Sequence, residues 1–488
     1  MTSDPATASK HVCVIGAGIT GLATAWRLAS SDDRIRVTVL ESGDHVGGII
    51  QTIRRDGFLI ELGPDSFITN KPGAIDLARQ IGFTEELIPT DETWRRSLVL
   101  RKGRALPVPD GFMLMAPAKP MAIMTTPILS MKGKLRLLGE AMVPRRREST
   151  DESLASFVRR RFGAETLDRL VQPLVGGIYT SDPEKLSLQA TLPRFVEMEK
   201  SHGSVIRATL ATQKKSKNAA EATSGSGARY GLFLTARNGL TSMMQAIAEA
   251  CIKTGRVTFE FNRPVREVTP AAETTASHSS RWHVLIDGEP APQTFDAVIP
   301  TLPTYLIARL LPDTRFDALR TALQTIEYAS SAIVVSGHRL RDFTHPMDAF
   351  GLVIPHKEGR EILAVSFTSR KFHGRAPDGH ILLRTFVGGA MQPHLMSKTD
   401  DEILRMVRQE LKSILGMKGD PVFEQVARYN NAMPQYHVGH ADRIRRIEQE
   451  VACFKGLELA GSPYTGVGIP DSIASGNSAA DRTCIGLW

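Results

Sequence analysis

Residues 11–21, HVCVIGAGITG, begin as an apolar run and break into glycine. Such a run predicts a buried strand that ends in a tight turn. LATAWRLASS then spaces its apolar positions as a helix does, and IRVTVLE returns to a buried strand ending at Glu41. Together they predict a β–α–β unit, the start of a parallel sheet. From about 105 to 200 the pattern becomes helical, rich in Met, Leu and Arg, with prolines at 107, 109, 117, 120, 127 and 144 that exclude one long helix. Residues 211–228 are small and polar and predict a flexible surface loop, and 269–280 predict a hairpin excursion between strands. SSAIVVSGHRL, AFGLVIP, EILAVSF and ILLRTFVGG, between about 330 and 390, are rich in β-branched and aromatic residues and predict an antiparallel sheet. GLELAGSPYTGVGIPDSIASGNSAADRT reads strand, glycine-rich turn, helix, so the end of the chain is expected to rejoin the sheet begun at residue 11.

At 488 residues the chain exceeds one ordinary core and implies two or three domains. With 42% hydrophobic and 23% charged residues, disordered and collagen-like classes are excluded for most of its length. The net charge of +8 favours anionic partners such as a polycarboxylate, a phosphate or an acidic membrane surface. No finger, homeodomain or RNA-reading signature accompanies that charge, so nucleic acid is not expected. The four cysteines are widely spaced and form no CxxC, which speaks against a disulfide framework or a zinc site and fits a reducing compartment. MTSDPATASK has no signal-peptide character, and no apolar stretch is long enough to span a bilayer. The expected location is cytoplasmic.

Gly16, Gly18 and Gly21 form GxGxxG at the predicted strand-to-helix junction. The first glycine permits the turn, the second lets a pyrophosphate approach the backbone, and the third allows close helix packing. Glu41, at the end of the next strand, is placed to accept hydrogen bonds from an adenosine ribose. A glycine turn that merely packs would lack this strand–helix–acid context. The motif alone does not separate NAD from FAD. HVGGIIQT favours FAD, because Gly47 and Gly48 leave the backbone bare where an extended cofactor would lie; Thr52 has an equal claim to be a plain strand residue. In ELGPDSF, Gly63, Pro64, Asp65 and Ser66 form a turn signal. Gly461, Gly466 and Gly468 precede the last predicted helix, whose N-terminus would direct partial positive charge at a reduced flavin. His437 and His440 in MPQYHVGH lack further ligands at suitable spacing, so no metal is expected.

GAGITG, VGGIIQT, ELGPDSF, PLVGGIYTSDPEKLSL, MPQYHVGH and GVGIPDSIASG together resemble the FAD-dependent porphyrinogen oxidases of haem biosynthesis, over about residues 11–485. The likeness is greatest to the soluble branch that oxidises coproporphyrinogen III and can accept protoporphyrinogen IX. The resemblance implies an α/β fold: a Rossmann-like FAD-binding domain of the flavin amine oxidase type, an inserted mixed β-sheet substrate domain and an α-helical cap. It divides the chain into FAD-binding parts at 1–90, 229–300 and 436–488, a substrate-domain strand at 91–108, a cap at 109–210 that is also a candidate membrane face, the loop at 211–228 and a substrate sheet at 301–435. It implies one non-covalent FAD held by Gly16, Ala17, Gly18, Ile19, Thr20, Gly21, Glu41, Ser42, Gly47, Gly48, Ile49, Gly63, Pro64, Asp65 and Ser66, with Val265 near the adenine. Val467, Gly468 and Ile469 would line the pyrimidine side of the ring. Tyr429 stands where close family members tend to place a tryptophan.

The implied reaction is a six-electron oxidation by oxygen in three two-electron rounds, releasing hydrogen peroxide. No dedicated catalytic side chain is demanded; Gly176 and Gly177 are candidates for a backbone approach to the macrocycle, or else a helix C-cap. Lys71, Arg96 and Arg370 are candidate cations for substrate carboxylates. Ser97 stands where protoporphyrinogen-specific relatives hold an arginine, which favours coproporphyrinogen. Met113, Met115, Met121 and Met124, with Lys119, Lys132, Lys134 and Arg145–Arg147, suit either core packing or transient contact with anionic lipid. Transient contact with the next haem-pathway enzyme is a further implied partnership. Rival readings on the same fold are an amine oxidase, a carotenoid-type desaturase and a non-catalytic flavin-binding scaffold.

Overall fold

A computed structural model describes residues 9–110, 112–113, 115–117, 119–148, 150–212, 232–271 and 281–488. The loop expected over 211–228 lies, from 213 onward, outside the described residues, as do 272–280 of the expected hairpin excursion. The strands flanking that excursion, Val265–Pro270 and Trp282–Ile286, pair antiparallel.

The opening unit forms as its pattern predicts: β1 (Lys10–Ile15), α1 (Ile19–Ser31) and β2 (Ile35–Leu40). β1 and β2 pair in parallel, Lys10 opposite Ile35 through Ile15 opposite Leu40. Strands Val257–Glu260 and Ala297–Pro300 flank them, also in parallel. Val12, Cys13 and Val14 are fully buried. Both faces of this sheet are covered, so the strand needs an unbroken apolar run rather than an alternating one. On one face α1, helix Leu240–Lys253 and the C-terminal helix Ile469–Leu487 share a core with Leu22, Leu28, Met243, Ile247 and Ile473. On the other, Trp282, Phe316 and Leu319 close a second core.

The end of the chain rejoins this sheet through one parallel bridge, Leu457 to Val298, and not through a full strand. Beyond Leu457 the backbone keeps two further bonds to that edge, Glu458 N–H to Val298 O at 3.1 Å and Ala460 N–H to Pro300 O at 3.4 Å, before it enters the glycine-rich turn.

A second sheet has seven strands, in the order Phe423–Pro434, Tyr328–Arg339, His380–Gly388, Ala364–Phe367, Gly351–Val353, Ser97–Arg101 and Arg104–Pro107. It is antiparallel except where Ser97–Arg101 lies parallel to Gly351–Val353, which makes it mixed. Those two strands are far apart in the chain, so no hairpin forces them to oppose. Helix Asp400–Leu415 covers one face and starts with a reciprocal capping box between Thr399 and Glu402.

The third body is helical and packs Phe157, Phe162, Leu170 and Phe195 in its core. Its hub is the Arg161–Glu140 ion pair, both side chains fully buried. Glu140 also accepts from Ser204 Oγ and from the N–H groups of Val205 (3.0 Å) and Ile206 (3.2 Å), so its lone pairs are widely used.

Candidate functional site

The first glycine turn is built for close approach. Gly16 has φ +102°, a region that disfavours side chains, and a Cβ there would press on Thr301 Oγ1 at 3.0 Å. A Cβ at Gly21 would run into the Gly16 carbonyl, so α1 can lie against the turn only with glycine there. Gly18 is different: its missing Cβ would face open space. No side chain caps α1, leaving its first N–H groups available to a ligand. Glu41 closes the other side of the turn. Its Oε2 accepts the Ala17 N–H at 2.7 Å and its Oε1 the Gly43 N–H at 2.8 Å. Ser42 Oγ donates to the same carboxylate at 3.2 Å.

The second glycine pair lies directly against the first. Gly47 forms a bridge with Gly18, its N–H bonds to Ala17 O at 2.9 Å, and a Cβ on Gly48 would sit 3.4 Å from Gly18 Cα. Ile49 leaves its side chain 57% exposed while its carbonyl faces Gly63, where a Cβ would collide with it. Val265 begins a strand just after Asn262 and Arg263, whose N–H groups bond to the carbonyls of Gly43 and Glu41 at 2.8 Å. The residues expected on the adenine side thus meet at the end of β2. Thr52 has a structural job: its Oγ1 donates to Glu61 at 2.8 Å and accepts the Thr241 N–H at 3.0 Å.

The turn Gly63–Ser66, between strands Phe58–Glu61 and Phe67–Ile68, meets the seven-stranded sheet. Asp65 pairs with Lys371 at 3.0 Å and with Arg384 at 3.1 Å. Arg384 also donates to the Gly63 carbonyl, and Lys371 to Ser66 Oγ at 2.9 Å. Burial alone would raise the Asp65 carboxyl, but the two cations and the Ser66 hydroxyl outweigh it and hold its pKa well below the carboxylate range. The Tyr429 hydroxyl lies 3.6 Å from the place of a Gly63 Cβ, and burial raises its pKa against the opposing pull of Arg384. Beneath the turn, Glu61 is fully buried, accepts the Leu240 N–H at 2.8 Å, and is pushed by burial up to about 7.

The C-terminal helix, Ile469–Leu487, packs on α1. The Gly476 Cα faces α1 so closely that a Cβ would stand 2.7 Å from Thr20 O and 2.8 Å from Thr24 Oγ1. Gly468 is the N-cap of Ile469–Leu487 and Ile469 is buried in the core shared with α1. Val467 packs instead on the helical body. The first turn of this helix carries Asp471, against which a Cβ on Gly466 would clash. The partial positive charge expected there therefore acts through a neighbouring carboxylate.

Lys71 Nζ bonds to Asp471 Oδ1 at 2.5 Å, with the lysine side chain 48% exposed. Arg96 binds the Asp348 carboxylate and carbonyl, and Arg370 donates to Met347 O at 3.0 Å while its guanidinium lies 4.7 Å from the Trp94 ring centre. Ser97 starts its strand opposite Gly351. Lys71 thus stands at the C-terminal turn, and the two arginines sit together against Met347 and Asp348, apart from it in the contacts they make. Gly176 and Gly177 lie inside helix Gln172–Tyr179, directly after a π-helical turn at Leu167–Val171. Thr180, in the left-handed region, ends that helix, and its N–H takes the Gly176 carbonyl at 2.9 Å, so neither glycine is the C-cap. A Cβ on Gly177 would meet open space.

His440 is buried and stacks on Tyr436 at 4.1 Å, and burial lowers it to about 4. His437 pairs with Glu327 at 3.4 Å. Among the described residues no group of three or more His, Cys, Asp or Glu could hold a metal. Met115 is core and Met121 is 74% exposed; the Met113 side chain lies outside the described residues. No described helix is long and apolar enough to cross a membrane.

Three functional-site neighbours carried no sequence signal: Lys371, Arg384 and Asp471. Lys371 and Arg384 come from segments remote from the glycine motifs, and Asp471, three residues after Gly468, is set against Lys71 only by folding. Together the bare Gly18 face, the uncapped α1 N-terminus and the carboxylate ending β2 fit a dinucleotide.

The profile of flavin-containing amine oxidoreductases matches residues 19–484. A coproporphyrinogen III oxidase of Staphylococcus aureus is 33% identical, over 97% of this chain and 99% of its own. A mitochondrial protoporphyrinogen oxidase of Nicotiana tabacum is 26% identical, over 98% of this chain and 95% of its own. A crystal structure from Exiguobacterium sp. 255-15 superposes with a TM-score of 0.82 at 29% identity, covering 97% of this chain and 98% of that one.

Proposed function

The chain belongs to the flavin-containing amine oxidoreductases, a flavin-dependent fold family, and from that premise we propose that it is an FAD-dependent porphyrinogen oxidase of haem biosynthesis. The observation that carries the reading is convergence: Gly18, Gly47 and Gly48 meet at α1, and the C-terminal helix is pressed onto α1 at Gly476. Full-length similarity to coproporphyrinogen III oxidases supplies the substrate class.

In this reading residues 1–90, 229–300 and 436–488 hold the cofactor, 91–108 and 301–435 form the substrate sheet, and 109–210 cap it. The FAD specifically, as one non-covalent molecule, would be held by the turn Gly16–Gly21, by Glu41 and Ser42, by Gly47–Ile49, by Gly63–Ser66, and by Val265, Tyr429 and Val467–Ile469. Bound flavin supplies two-electron chemistry, and the protein supplies placement and electrostatics. Conversion of a porphyrinogen to a porphyrin removes six electrons, so three oxygen molecules leave as three of hydrogen peroxide. The uncapped N–H groups of α1 orient the pyrophosphate, and Glu41 the ribose. Gly176 and Gly177 leave room at the cap for a flat macrocycle, and Lys71, Arg96 and Arg370 supply cations for its carboxylates. Coproporphyrinogen III is the preferred substrate, since Ser97 stands where protoporphyrinogen-specific relatives hold an arginine; protoporphyrinogen IX is the alternative. Met121, Met131, Leu135 and Met142, all more than half exposed, suit transient contact with anionic lipid.

Anaerobic mixing of the purified yellow protein with coproporphyrinogen III, protoporphyrinogen IX and simple amines tests the proposal. Bleaching of the flavin by the porphyrinogens alone is expected. Bleaching by amines alone would replace the proposal with the amine oxidase reading.

A further inference from the structure

The turn Gly63–Ser66 is served by more positive charge than its acid balances. Asp65 meets two cations, and neither has a second carboxylate partner among the described residues: Lys371 otherwise donates to Ser66 Oγ and lies over the rings of Phe233 and Phe372, and Arg384 donates to the Gly63 carbonyl and lies over the ring of Phe386. Their side chains are 15% and 3% exposed, so salt and water screen them weakly. Arg375, also buried, spends its donors on neutral oxygens, the carbonyls of Ala236 and Arg237 and the Thr235 hydroxyl. The next acid inward is Glu61, which burial keeps partly protonated at neutral pH. One positive charge at least is left over beneath the turn. It is also rigid, because both cations are fixed to the backbone or hydroxyl groups of the turn they serve.

We propose that the Lys371–Asp65–Arg384 group raises the reduction potential of the flavin, resting on the reading of Gly63–Ser66 as part of the cofactor site. A flavin that takes up two electrons and one proton becomes anionic. A fixed cation in a poorly screened setting therefore stabilises the reduced form over the oxidised one. The two cations arrive from the substrate sheet, Lys371 from the short helix Thr368–Lys371 and Arg384 from strand His380–Gly388. Docking of that sheet on the cofactor domain thus sets the charge at the cofactor, and each of the three oxidation rounds draws on it.

A simple clamp would also explain the bonds, and the sign of the response to charge separates the two. The holoenzyme is titrated anaerobically against a reference dye and the midpoint potential is read. Lys371→Met removes a positive charge and is expected to lower the two-electron equilibrium constant about tenfold, a shift of about 30 mV. Lys371→Arg keeps the charge and is expected to keep the potential. Asp65→Asn removes a negative charge and is expected to shift the potential in the opposite direction. An unmoved potential in Lys371→Met with full flavin content would overturn the proposal, as would shifts of the same sign in Lys371→Met and Asp65→Asn. Loss of flavin from the variants with no change of potential in the retained fraction would overturn it in favour of the clamp. An unmodified chain that carries no flavin would instead refute the cofactor reading on which the proposal stands.

Discussion

Lys71 Nζ lies 2.5 Å from Asp471 Oδ1, so a residue just after the Gly63–Ser66 turn is tied to the first turn of the C-terminal helix. Half of the lysine side chain stays exposed, and such pairs contribute about 0–1 kcal/mol. Lys71→Met is therefore expected to leave the urea midpoint nearly unchanged. If Lys71 meets a substrate carboxylate, the variant raises KM several-fold with kcat preserved, because a point charge far from the reacting bonds holds substrate and transition state alike. Steady-state kinetics with coproporphyrinogen III provide the check.

The glycines of the first turn should separate into two kinds. Gly18→Val places a branched side chain where the structure is open and is expected to yield folded protein without yellow colour. Gly21→Ala forces a methyl into the Gly16 carbonyl and is expected to lower stability by about 1–3 kcal/mol. Flavin absorbance and far-UV circular dichroism distinguish the outcomes. A Gly18→Val protein with full flavin absorbance would remove the pyrophosphate from this turn.

Burial holds the Glu61 carboxyl at about 7, against 4.5 for the free group. The folded state then binds a proton that the unfolded state releases at lower pH. Stability is fully present below about pH 4.5 and is lost progressively as pH rises through about 7. The loss amounts to roughly 3 kcal/mol at most. Glu61→Gln keeps an acceptor for the Leu240 N–H and cannot ionise, so its urea stability should be flatter than that of the native chain between pH 5 and pH 8.

Arg161 and Glu140 form the hub of the helical body, both without exposure. Arg161→Met leaves the Glu140 charge uncompensated and is expected to cost about 3–5 kcal/mol, whereas the double change with Glu140→Leu should recover part of that. Urea denaturation of the single and double variants measures the coupling.

The local patterns proved sufficient for the opening β–α–β unit. An unbroken apolar run can be satisfied only by a strand covered on both faces, and β1 is such a strand. The prolines between 107 and 144 break the helical region, and its described helices there are short. Pattern was weaker where pairing partners are distant. The expected C-terminal strand became a single bridge at Leu457, and the expected antiparallel sheet acquired one parallel pair at Ser97–Arg101. Direction and length of such pairings depend on where a remote segment arrives, which no local periodicity encodes.

Glycine spacing, read from the chain alone, identified the turn that needs bare backbone, because a Cβ on Gly21 of α1 would collide with the Gly16 carbonyl. The chain's motifs likewise named its family. Charge at the Gly63–Ser66 turn and at the C-terminal turn was decided by tertiary structure: Lys371, Arg384 and Asp471 are ordinary charged residues until folding sets them beside Asp65 and Lys71. A backbone restriction is local and leaves its mark in residue type, whereas an electrostatic partnership exists only at contact distance, and contact between remote segments is made by the fold.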